Sequence, residues 1–82
     1  MALFVIERNF AEALSTEADP DGELAIEAVN EELGLEWVST FLTADRTRTY
    51  CLYESPSAEL LREHAQRLGF PIDAIVEVTR DH

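Results

Sequence analysis

At 82 residues the chain has room for one domain, residues 1–82, with a core close to the smallest that stands without disulfides or metal. Seventeen acidic residues face six arginines and no lysine, and the net charge of −11 at pH 7 opposes nucleic acid and anionic membrane surfaces alike. A hydrophobic content of 46% excludes a disordered chain, and no window approaches the roughly 20 apolar residues of a membrane span.

In chain order, the opening MALFVIERNF has no basic leader before a long apolar stretch, and residues 3–8 read as an extended apolar strand. Residues 11–22 are the most loop-like. Within them, Asp19 followed by Pro20 is the signature of a capped helix start, and the helix runs to about Leu33. Ala25, Ala28, Val29 and Leu33 share one face, Glu23, Glu27, Glu31 and Glu32 largely fill the rest, and Gly34 ends the helix. Residues 35–42 and 47–54 are rich in β-branched and aromatic side chains, joined by the polar turn Thr43, Ala44, Asp45, Arg46. Ser57 caps a second helix over 58–68 with Leu61, Ala65 and Leu68 inward, Gly69 and Pro71 stop it, and residues 74–79 form a last strand.

The order β-α-β-β-α-β predicts an α+β, ferredoxin-like sandwich: a four-stranded antiparallel sheet of order 4-1-3-2 with two helices on one face. Strands one to three carry apolar side chains on both faces, so the face without helices needs a cover. A second copy of the chain is the expected cover, giving a homodimer, and a ligand is the alternative. The single cysteine, Cys51, cannot form an internal disulfide and suits a reducing, cytoplasmic setting. An acidic, lysine-free surface suits a salt-rich cytoplasm, where screening relieves self-repulsion, and equally a protein in which Arg replaces Lys throughout.

Only two histidines offer chemistry, His64 on the second helix and His82. His64 sits near the edge of the core stripe, where a hydrogen-bonded boundary histidine and a metal ligand are the two readings; imidazole suits nickel, copper and zinc. No HxxH or HxxxH pair accompanies it. His82 could complete a site across a dimer. Cys51 in an apolar strand reads as a small hydrophobe rather than a reactive thiol. Glu7, Arg8, Glu54 and Glu77 are strand charges that face water on the simplest reading, and Glu7 and Glu54 fall toward opposite ends of strand three, which argues against paired-carboxylate catalysis. Three isolated glycines build no phosphate loop.

The run Tyr50-Cys51-Leu52-Tyr53-Glu54-Ser55-Pro56-Ser57, followed by Arg62, Ala65, Gly69, Pro71, Asp73, Ile75, Glu77 and Val78, resembles a small prokaryotic family of unknown-function domains described as nickel-binding proteins. Ile6 to Phe10, Ala28-Val29-Asn30, Trp37 and Asp45-Arg46 extend the likeness over nearly the whole chain. The resemblance implies a ferredoxin-like dimer and, in some members, bound nickel without an assigned reaction. Ser55 stands where alanine is frequent, and the sequence stops at His82 without the usual aromatic tail. His64, Glu7 and Glu54 are the positions onto which nickel ligation carries.

The leading expectation is therefore a non-enzymatic homodimer that binds a divalent metal, Ni(II) first, through His64 with carboxylates or water. One rival is an organic-ligand carrier or dimeric α/β-barrel enzyme with its cavity near Tyr50, Tyr53 and Trp37. Another is an interaction module whose acidic face meets a basic partner.

Overall fold

The computed structural model describes residues 1–15, 17 and 19–81, so His82 lies outside the described residues. The elements are β1 (Ala2–Asn9), α1 (Pro20–Leu33), β2 (Glu36–Leu42), β3 (Arg48–Ser55), α2 (Ala58–Leu68) and β4 (Ala74–Val78). The strands make one antiparallel sheet in the order β2-β3-β1-β4, the expected 4-1-3-2 read from the other edge. This α+β arrangement is consistent with a ferredoxin-like fold. Among the described residues, no helix is long and apolar enough to cross a membrane.

Strand alternation sorts β1. Phe4, Ile6 and Arg8 are buried, while Leu3, Val5 and Glu7 between them are only partly so. Residues paired directly across antiparallel strands share a face, so Tyr53 and Cys51 on β3 join Phe4 and Ile6. That face meets the helices: Phe4, Ile6, Leu35, Tyr53 and Leu61 form the core, with Leu33 and Leu60 packed against it.

Each helix is closed by side chains placed for the purpose. Asp19 Oδ1 accepts from the Gly22 amide at 3.1 Å, and Ser57 Oγ accepts from the Leu60 amide at 3.3 Å. Gly34 and Gly69 hold φ of 71° and 72°, the left-handed conformation that ends a helix cheaply only in glycine. The Ser57→Ala variant should lose about 1 kcal/mol of stability in urea unfolding, the usual weight of such a cap; an unchanged midpoint would show that the bond from the Leu60 amide to the Ser57 hydroxyl does not hold the helix start.

Two details depart from the sequence-based expectation. On α1, Ala25 and Ala28 are exposed, and the inward side is carried by Asn30, by Leu33 against the core and by Ile26 lining a cavity. These three follow i, i+4, i+7 spacing, a second stripe that the sequence offered beside the alanines. Leu35 precedes β2 rather than opening it, because its amide completes the helix cap on the Asn30 carbonyl at 2.8 Å while its side chain, 6% exposed, enters the core.

Candidate functional site

Because α1 turns Asn30 and Ile26, rather than a continuous apolar stripe, toward the sheet, a cavity of about 440 Å³ remains between α1, α2 and the β1, β2 and β3 strands. Its inner wall is polar: Arg8 from β1, Asn30 from α1, Tyr53 from β3 and His64 from α2, all buried. Its rim carries Glu23, Glu27 and Trp37, all exposed.

His64 was expected at the boundary of the core and lies inside it, with no exposed surface. Tyr53 stands edge-on to its ring, centroids 5.4 Å apart at 60°. Among the described residues, neither ring nitrogen has a hydrogen-bond partner. Burial first, and then the nearby Arg8 charge, pushes its pKa down from 6.5 to about 4, so the imidazole is neutral at pH 7. Asn30 Oδ1 is likewise buried without a partner among the described residues. Burial pushes the Tyr53 phenol up, with the Asn30 amide pulling the other way.

Arg8 was expected to face water at a strand end and is 3% exposed. Its Nη1 donates to the Pro71 carbonyl at 2.8 Å, and the guanidinium carbon lies 5.4 Å from the Phe70 ring centroid. Parity could have found it, because Arg8 continues the buried series Phe4, Ile6. Asn30 carried a similar signal, four residues after Ile26 and three before Leu33. On the β2 wall, Trp37 Nε1 donates to Thr40 Oγ1 at 2.8 Å, and that hydroxyl donates onward to Cys51 Sγ at 3.4 Å.

Glu7 and Glu54 occupy the other side of the sheet. Glu7 pairs with Tyr50 and Glu54 pairs with Leu3, both in the register of the face away from the helices. The sheet therefore separates them from His64, and one chain cannot bring the three onto one ion. Glu7 accepts from Asn9 Nδ2 at 3.2 Å. Glu54 stands directly opposite Glu36 of β2, a like-charged pair that sequence reading missed because β2 has an irregular register. Among the described residues, no three His, Cys, Asp or Glu side chains gather closely enough to hold a metal ion. The cavity is a poor nickel site on its own chemistry: one neutral imidazole is the right kind of donor, but the Arg8 cation beside it repels a dication.

The same face exposes an apolar surface. Leu3, Val5, Tyr50, Leu52, Phe41 and Val76 share it by register, and Phe41 and Val76 are 63% and 54% exposed.

The family described as nickel responsive protein SCO4226-like matches residues 4–78. The crystal structure of SCO4226 from Streptomyces coelicolor A3(2) is similar in fold, with a TM-score of 0.82 and 23% identity over 99% of this chain and 100% of that one. A structure of the chemotaxis kinase CheA P2 domain in complex with the response regulator CheY, from Thermotoga maritima, is similar with a TM-score of 0.57 and 21% identity over 94% of this chain and 98% of that one. No curated protein matches by sequence at a significant level.

Proposed function

Because the chain belongs to the SCO4226-like family of nickel responsive proteins, we propose that it is a small nickel-binding homodimer, one ferredoxin-like domain per subunit, joined through the open face of the sheet. The observation that carries this reading is the bare apolar face with Phe41 and Val76 exposed, bordered by the Glu36–Glu54 pair. Covering that face with a second copy removes contiguous apolar surface from water, which a core of this size needs. Two carboxylates held opposite each other repel, and a divalent cation between them reverses the sign of that interaction. Nickel accepts oxygen donors with water completing its shell, so Glu54 and Glu36 supply two ligands and water or the second copy supplies the others. Glu7, engaged by Asn9 on the same face, stands as an outer candidate, and His64 stays out of the metal site.

Calorimetric titration of untagged protein with nickel, run beside sedimentation, tests the two halves separately. The expected result is saturable binding with whole-number stoichiometry per dimer, weakened at least about tenfold in Glu54→Gln and unchanged in His64→Gln. Phe41→Asp should sediment as a monomer. Loss of binding in His64→Gln alone would move the metal into the cavity, and a wild-type monomer at micromolar concentration would remove the dimer.

A further inference from the structure

The buried end of the cavity holds more hydrogen-bonding capacity than the chain itself uses. Arg8 is 3% exposed and spends one donor on the Pro71 carbonyl, and among the described residues no carboxylate pairs with it. His64, fully buried, and Asn30, 9% exposed, line the same wall, and their ring nitrogens and amide oxygen have no partner among the described residues. A buried guanidinium without a counter-charge is costly, and the group that satisfies it best is a carboxylate, which accepts from its planar fork through two oxygens. The imidazole N–H extends that donor surface, and Asn30 Oδ1 adds an acceptor beside it.

A free anion would have to approach through an unfavourable field. The chain carries a net charge of −11, and Glu23 and Glu27 stand exposed at the rim of this cavity. Glu23, Glu27 and Asn30 lie successively along α1, from the rim carboxylates to the buried amide, so the cavity is negative outside and positive within. Ile26, Trp37 and Phe70 supply apolar wall beside these polar ends. A volume of about 440 Å³ falls in the usual range for small-molecule sites, roughly 300–1,000 Å³.

We propose that this cavity binds an amino-acid-sized zwitterion with an apolar side chain. Its carboxylate pairs with Arg8 beside Asn30 and His64, its ammonium group rests between Glu23 and Glu27, and its side chain lies against Ile26, Trp37 and Phe70. The site lies across the sheet from the carboxylates assigned to nickel, so either can fail without the other.

The sole tryptophan, Trp37, lines the cavity and reports occupancy directly. Its fluorescence, with calorimetry beside it, is followed while L-leucine, L-methionine and L-phenylalanine are added to the full chain. At least one of these should give a saturable change. For phenylalanine, 2-phenylethylamine and 3-phenylpropionate each lack one of the two charges and should bind at least about tenfold more weakly. Glu27→Gln, on an exposed helix surface where folding is not at stake, should weaken phenylalanine about tenfold while leaving phenylpropionate unchanged. Arg8→Gln should abolish the binding of every amino acid that the wild type binds; if that variant does not fold, the Glu27→Gln comparison decides. No saturable change with any of the three amino acids would overturn the site. Phenylpropionate binding as tightly as phenylalanine, or equal phenylalanine affinity in Glu27→Gln and wild type, would overturn its zwitterionic character.

Discussion

Acidification from pH 7 to pH 4 should cost this protein up to about 3 kcal/mol of stability through one side chain, His64. Above its ordinary pKa of 6.5 the imidazole is neutral in the folded and unfolded chain, and it adds no pH dependence. Between 6.5 and about 4 only the unfolded chain takes up the proton, because burial and then the Arg8 charge hold the folded value down. Stability therefore falls with pH across that window, and the loss is complete below about 4. Tyr53 from β3 meets the ring edge-on and the Arg8 charge from β1 acts on it, while Cys51 from β3 and Glu23 and Glu27 at the rim on α1 are the other titratable groups lining the same cavity. Urea unfolding at several pH values checks this, with His64→Phe as the comparison, since phenylalanine keeps the ring contact with Tyr53 and removes both nitrogens. The wild-type midpoint should drop more steeply than the variant's. Parallel curves, or a His64 proton resonance titrating near 6.5, would contradict the placement of the ring. Asp45 acts in a different window. Its carboxylate, accepting from the Thr43 hydroxyl first and from Thr47, is held down to about 2, so the stability it lends is present above 3.8 and lost as pH falls through 2.

Leu61→Ala should be the most damaging simple truncation in α2, at about 2–5 kcal/mol. Leu61 has no exposed surface and sits in the core cluster with Phe4, Ile6, Leu35 and Tyr53. Removing its side chain loses transfer energy and leaves a void between α2 and the sheet. For a chain whose whole stability is about 0.1 kcal/mol per residue, that is a large fraction. Leu24→Ala is the control, because Leu24 on α1 is 63% exposed and its loss should stay within about 0.5 kcal/mol. Both are measured by urea unfolding at one protein concentration, so that association contributes equally. Similar midpoints for the two variants would mean that Leu61 does not anchor the core.

The elements were legible because their signals are local. Asp19-Pro20, Ser57, Gly34 and Gly69 mark helix ends by chemistry that needs no partner, and the alternation of β1 is visible in the letters. The site was less legible because it depends on which of two faces each residue takes. Arg8 carried buried parity, yet an arginine at a strand end reads as solvated until the Pro71 carbonyl and Phe70 ring are brought to it across the fold. His64, Glu7 and Glu54 were plausible together as letters, and the sheet divides them. Glu36 opposite Glu54 needed the cross-strand register, which turns on an irregularity after Trp37.

That irregularity reaches further than one pair. Val38 is the extra residue between Trp37 and Ser39, and it lets Trp37 and Thr40 both point to the cavity side while Ser39 and Phe41 point to the open side. Without it, strict alternation would send Trp37, Ser39 and Phe41 the same way. The segment behaves as a reading frame: substitutions there change one contact, whereas loss of a single residue would exchange the roles of the two faces from that point on. The two faces of this sheet therefore depend on the length of the short stretch more than on its spelling.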